Sequence, residues 1–408
     1  MRKVAVWAAA AIPCGALVVT GCGDSGPQVE EGPLGWNGPV EAREVRQWSR
    51  ESMDTVPRWT VAESPTLVMV PDSTAEVVYG RDGEVLRRIE QQRYPEGAAF
   101  LPDGRIVLAY FLASPDSILL HFLDPATGTD KPIVAPKGDD GDDLHWGHTG
   151  GLAVHGDGIV LLADNAPVGG RRRGSDIWYV DLDGRFTRPS AYVNVEGWLF
   201  GAFADGRAAV MERWNRVDTT LVSPVVSILP LEAGSEPSDA HRAEVLFSVA
   251  TRGDPIHWYE TPARWSVHPR RATALAGERF WIVPTDRPEL FAVHRSGEVV
   301  LRIEWDAGDR SLPAGAQDYW EGAEHLPVVA ELMAGTDGLV YVQRWAVRDD
   351  RPVRGPEWLV FSSAGELVAR LEVPSAWRVL AFGDRALVAV VYVDGDFGEV
   401  RVYALDGA

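Results

Sequence analysis

Cysteine is nearly absent from these 408 residues, which contain only Cys14 and Cys22. A disulfide framework is excluded, and so is a thiolate metal site built on several cysteines. Lysine is almost as scarce, with only Lys3, Lys131 and Lys137, so nearly every cation is arginine. Acids outnumber bases 59 to 39, giving a net charge of −20. A field of that sign repels nucleic acid and anionic lipid surfaces, and no nucleic-acid partner is expected. The catalytic signatures with a fixed spacing are also missing. There is no Gly-x-Ser-x-Gly, no phosphate loop, and no dinucleotide fingerprint opening a helix after a strand. No segment after the N-terminal one is long and apolar enough to span a membrane as a helix.

What the N-terminus does have is ordered. Arg2 and Lys3 precede an uncharged run from Val4 to Val19, interrupted by Pro13, and then Thr20-Gly21-Cys22-Gly23. A basic head and a short apolar middle describe an export signal rather than a spanning helix. Small residues directly before a cysteine resemble the lipobox of bacterial lipoproteins. That resemblance implies cleavage after Gly21, a lipid on Cys22, and a mature chain with no other cysteine. Loss of residues 1–21 removes two cations and no acid, moving the net charge to −22. The expected address is therefore the cell envelope, with the chain held at a membrane surface. That surface is the outer membrane or a periplasm-facing membrane surface; Gly23, with no aspartate after the cysteine, favours the outer membrane under the sorting rules of enteric bacteria. Residues 22–58 read as a tether, polar and Gly/Pro-rich early, with a short helix expected around Val40–Arg50.

From Trp59 the chain alternates short strands with glycine turns. One series of turns lies at Asp103-Gly104, Asp157-Gly158, Asp205-Gly206, Gly277-Glu278, Asp337-Gly338 and Gly383-Asp384. The other lies at Asp82-Gly83, Thr127-Gly128, Asp183-Gly184, Ser296-Gly297, Ala364-Gly365 and Asp406-Gly407. Asp-Gly suits tight hairpins whose two central residues both take φ > 0. The first series repeats at 54, 48, 72, 60 and 46 residues, periods that suit four-stranded propeller blades. The expected fold is all-β, a propeller of antiparallel four-stranded blades over residues 59–408. Six turns of the first series imply six blades, with seven as the alternative because the hairpin at Asp82-Gly83 is left over. The last unit, from Arg378, supplies only three strands. The missing one is expected from Trp59–Glu63, a strand that would remove two open edges.

The stretches Leu101–Val107, Asp183–Phe186, Trp281–Val283, Leu290–Gly297 and Leu339–Val342 resemble the six-bladed propeller lipoproteins of the NHL-repeat-like group. The resemblance covers most of residues 59–408 and implies a fold rather than a reaction. The acidic loop Gly138–Asp143 departs from it, since relatives commonly carry a Gly-Pro-Gly-Glu-type turn there.

In such a meander the long connections share one rim: Pro136–Gly150, Ala166–Ser175, Arg213–Ser223, Arg252–Arg271, Asp306–Pro327 and Ala346–Glu357. Aromatic and ionisable residues concentrate on them. His145, Trp146 and His148 lie on one. His257, Trp258, Tyr259 and Trp265 lie on another, and Tyr319, Trp320 and His325 on a third. Exposed aromatic faces suit sugar rings and peptide side chains, although tryptophans also wedge between blades. Arg171, Arg172 and Arg173, between glycines, could clamp a carboxylate or phosphate, or simply sit solvated. His145 and His148 with Asp142 or Glu324 could hold a metal, but a loop does not fix their mutual direction. No catalytic residue, metal ligand or cofactor is assigned. The functional expectation is a binding or scaffolding module for a peptide, glycan or protein. The alternative is a metal-dependent hydrolase or lyase of the sugar-lactone hydrolase type, and a divalent metal enters only there.

Overall fold

The glycine turns are the most regular feature of the computed structural model. The structure describes residues 5–8, 41–48, 61–64, 67–71, 75–79, 85–90, 97–101, 103–113, 116–124, 126–134, 146–155, 158–165, 175–187, 198–203, 208–217, 221–230, 247–250, 272–276, 278–284, 287–312, 325–326, 328–349, 351–375, 377–383, 385–393 and 396–406. Gly104, Gly184, Gly297, Gly338 and Gly365 have φ between 78° and 86°. Each donates its N–H to the carbonyl three residues back: Leu101, Asp181, His294, Gly335 and Ser362. Each of those residues donates in turn to the carbonyl just after the glycine. Only the glycine is left-handed, so these are type I turns followed by a one-residue bulge. The expectation of two positive φ angles per turn is corrected. Asp103 and Asp337 also accept the backbone N–H two residues on, at 3.0 and 3.1 Å, which explains the Asp-Gly pairing.

The fold is an all-β propeller of four-stranded antiparallel blades. The described strands form seven sheets, six of four strands and one of five, not the six units expected. Ala75–Tyr79 and Val85–Glu90, the strands on either side of Asp82-Gly83 in the sequence, are the last two of a sheet of their own, Val61–Glu90. Its first two strands turn at Ser64 to Leu67 without a glycine, which is why the glycine series passes over it. Val61–Ser64 therefore opens this sheet and does not complete the last one. The strand beside Asp396–Asp406 is Glu41–Trp48, within the stretch expected to be a tether with a short helix. The apolar spacing Ala42, Val45, Trp48 suits a helix, but the edge of an 11-residue strand overrides so weak a preference. Ala5–Ala8, inside the segment read as a signal, pairs antiparallel with the edge strand Val299–Glu304.

The chain divides into two units. One comprises 1–47, 215–225 and 249–408; the other comprises 48–214 and 226–248. Within the first, apolar faces of the 272–304 and 331–372 sheets meet through Trp281, Leu290, Leu301, Ile303, Val342 and Phe361. The opposite face of the 331–372 sheet meets the 377–406 sheet through Tyr341, Trp358, Leu371, Phe382 and Tyr403. The middle sheet is thus apolar on both sides, and Val340, Tyr341 and Val342 are all buried. Within the second unit, Val107, Leu120, Phe122, Ile159, Trp178 and Val180 join the 97–134 and 146–187 sheets. No described helix is long and apolar enough to cross a membrane.

Candidate functional site

Two of the connections expected to be rim loops are extensions of strands. Ala208–Val217 and Leu221–Pro230 run into Arg213–Ser223. Val340–Arg348 and Arg351–Phe361 pair out to Arg348 opposite Arg351, so Ala346–Glu357 is a projecting hairpin. Asp349 takes φ 52° at its tip. The hairpin is bent where the register slips between Gln343 and Trp345. Gly355 stands at that bulge because a Cβ there would lie 2.6 Å from the Arg344 carbonyl oxygen. Gln343 donates to the Gly355 carbonyl at 2.9 Å from a buried position.

Beside the hairpin, the connection that carries Tyr319 and Trp320 is clamped at its neck. Ser311 and His325 form an antiparallel bridge. The Leu326 N–H donates to the Arg310 carbonyl at 2.8 Å, and Arg310 Nη1 donates to the Leu326 carbonyl at 2.9 Å. Leu312 and Leu326 are buried, with Trp345 of the hairpin packed against them. Trp345 Nε1 donates to the Val329 carbonyl at 3.0 Å. Asp309 accepts from the Ser311 hydroxyl and backbone N–H, which holds its carboxyl below the usual range, and the nearby His325 ring pulls weakly the same way.

His325 is thus an exposed residue at the loop neck. Trp146 and His148 lie on the strand Trp146–His155, with Trp146 opposite Asn165 and the register irregular up to Gly151. That corrects their placement on a loop. His145, Arg171, Arg172, Arg173, His257, Trp258, Tyr259, Trp265, Tyr319 and Trp320 lie outside the described residues. Among the described residues, no three His, Cys, Asp or Glu side chains stand together as metal ligands would.

Charged side chains that the aromatic pattern passes over line the same hairpin. Arg344 Nη1 and Arg370 Nη1 both donate to Glu357, at 2.7 and 3.0 Å, and Arg344 Nη2 donates to the Ala307 carbonyl at 2.5 Å. Arg354 Nη1 donates to Glu331 at 2.7 Å. Burial pushes the Glu331 carboxyl above its ordinary range, against the pull of Arg354 and then Arg378. In sequence these are isolated charges on alternating strands, and only strand register brings them together.

No family model matches the chain, nor does any curated protein sequence. Solved structures do resemble it. The β-propeller domain of the trilobed protease from Pyrococcus furiosus matches over 90% of this chain and 95% of that one, at 12% identity and a TM-score of 0.45. Acylaminoacyl peptidase from Pyrococcus horikoshii matches over 90% of this chain and 51% of its own, at 12% identity and TM-score 0.46. A gluconolactonase from Xanthomonas campestris matches over 76% and 84%, at 11% identity and TM-score 0.37. The likeness is one of fold, and the enzymatic titles belong to those proteins.

Proposed function

We propose that this protein is a lipid-anchored, extracytoplasmic propeller that binds a peptide, glycan or protein partner at the hairpin end of its sheets. The clamped neck of the 306–327 connection carries this reading. A loop whose two ends are bridged, hydrogen-bonded and packed on Trp345 loses less freedom when a ligand seats on it. Tyr319 and Trp320 lie on that connection, and aromatic side chains supply large contact area at low entropic cost. The anchor would be acyl chains on Cys22, each buried CH₂ contributing about 0.8 kcal/mol to membrane attachment.

Glycan and peptide arrays probed with the purified protein, and with a Trp258→Ala/Trp320→Ala variant, test the binding role. Loss of array binding in the variant is expected; a variant that binds every hit as the parent does overturns it. Elemental analysis after dialysis separates the hydrolase alternative, which requires a stoichiometric divalent metal. Cys22→Ser is expected to remove acylation and membrane attachment. A Cys22→Ser chain that still partitions with membranes would refute the anchor.

A further inference from the structure

At the hairpin end of the seam between the 331–372 and 377–406 sheets, Arg354 pairs with Glu331 and Arg378 stands near enough to act on the same carboxyl, three charged side chains that the binding-loop reading does not use. Glu331 is the first residue of the strand Glu331–Ala334, and Arg378 the second of Trp377–Gly383. The Thr336 N–H donates to the Phe382 carbonyl at 3.2 Å, which fixes the far ends of these two strands to each other. Their near ends, with Glu331 and Arg378, are thereby close enough for Arg378 to act electrostatically on the carboxyl. Arg354 reaches Glu331 from the projecting hairpin, and its side chain remains 43% exposed. Arg378 is exposed and makes no hydrogen bond or ion pair among the described residues.

Directly opposite Glu331 in register stands Gln343, only 4% exposed. Its Nε2 is committed to Gly355, and its Oε1 is buried without a hydrogen-bond partner. A buried acceptor left in this condition is destabilising unless a donor reaches it. Cross-strand neighbours share a face, with Cβ atoms about 5 Å apart. A protonated Glu331 carboxyl can therefore donate to Gln343 Oε1. Arg344, Glu357 and Arg370 fall one position away in register, and so on the other face. The charged groups facing Glu331 are Arg354 and Arg378.

We propose that Arg354 and Arg378 form a site for a ligand bearing a single carboxylate, with Glu331 as the resident carboxylate that the ligand displaces from Arg354. Two guanidinium forks at one exposed seam suit a planar carboxylate through paired N–H···O bonds. With Glu331 ionised the three groups sum to one positive charge, which matches a monoanion and disfavours a phosphate dianion. When Glu331 takes a proton it turns to Gln343, and Arg354 is released to the ligand. Burial, which favours the protonated carboxyl, works in the same direction. The inference rests on the reading that this end of the sheets is a binding face, and it names the chemistry recognised there.

Calorimetric titration of the purified protein with N-acetylglycine, and with its neutral amide as control, tests the site. Saturable binding of the acid but not the amide is expected. Glu331→Gln should bind about tenfold tighter at about pH 7, while Arg354→Gln and Arg378→Gln should each weaken binding about tenfold. Lowering the pH from about 7 to about 5 should tighten binding in the parent and leave Glu331→Gln unchanged. Arg378→Lys, which keeps the charge and loses the fork, should fall between the parent and Arg378→Gln. Failure of Glu331→Gln to bind the acid, or undiminished binding by Arg378→Gln with native near-ultraviolet dichroism, overturns the proposal. Trp320→Ala should leave N-acetylglycine affinity unaltered, so loss of array binding and loss of the carboxylate site are separate outcomes.

Discussion

Tyr341 lies flat on Phe382 of the neighbouring sheet, with ring centroids 3.9 Å apart and planes 2° from parallel, while its hydroxyl donates to Asp337 at 2.7 Å. One side chain therefore joins the seam between two sheets to the turn that begins the second strand of its own. Burial, reinforced by Asp337, pushes the phenol well above its ordinary range, so it remains a donor wherever the protein is folded. Trp358 meets the same Phe382 edge-on at 4.9 Å.

Phe382→Ala removes the shared partner of both rings from the buried seam. We predict a loss of about 3–5 kcal/mol in denaturant unfolding. Tyr341→Phe keeps the stack and leaves only Asp337 short of a donor, and Asp337 can turn to water. We predict a cost of about 1 kcal/mol for it. Equal losses for the two variants would contradict the assignment of the stack as the dominant contact.

Two turn glycines separate backbone strain from packing. Gly104 and Gly184 have φ of 86° and 82°, so alanine is strained at either. A Cβ at Gly104 meets nothing within 4 Å, whereas one at Gly184 would run into Ile133 of the adjacent sheet. Gly104→Ala should cost about 1 kcal/mol, and Gly184→Ala measurably more. Comparable midpoints in urea would show that Ile133 yields freely.

Glu331 predicts a pH dependence whose sign is definite. Its folded carboxyl is raised above the unperturbed 4.5, mainly by burial. The folded state therefore binds the proton more tightly than the unfolded chain, and this contribution is full below 4.5. It is lost as pH rises through the raised value. Subtracting the stability profile of Glu331→Gln from that of the parent should isolate this fall. A flat difference over that interval, or one of the opposite sign, would refute it.

The neck of the 306–327 connection gives a further expectation. Leu326 is buried against Leu312 and Trp345. Leu326→Ala should cost about 2–5 kcal/mol if the neck belongs to the cooperative fold. If the neck opens on its own, the cost of global unfolding will be small, and amide exchange at Leu326 will accelerate instead.

Much of the fold is legible from spacing because each glycine turn obeys a local rule. Gly104, Gly184, Gly297, Gly338 and Gly365 are all left-handed where the turns were expected. The count of six failed at the first hairpin of the Val61–Glu90 sheet, where Ser64 pairs with Leu67 and no glycine stands between them in the sequence. The site was less legible. Aromatic clusters draw attention in sequence, but the structure places Trp146 and His148 on a strand and His325 at a loop neck. Glu331, Gln343, Arg354 and Arg378 give no signal, being ordinary residues on separate strands.

The sequence by itself determined the class of structure: strand after strand, turned by residues whose φ preferences act within four or five positions. Composition alone excluded a framework of several disulfides. Only the tertiary structure decided which strand joins which sheet, since Glu41–Trp48 lies beside Asp396–Asp406 rather than following its own apolar spacing. It likewise decided that Glu331 shares a seam with Arg378 and a register row with Gln343. Pairing across tens or hundreds of residues depends on edges and faces that exist only after the sheets have formed, and no local preference encodes it.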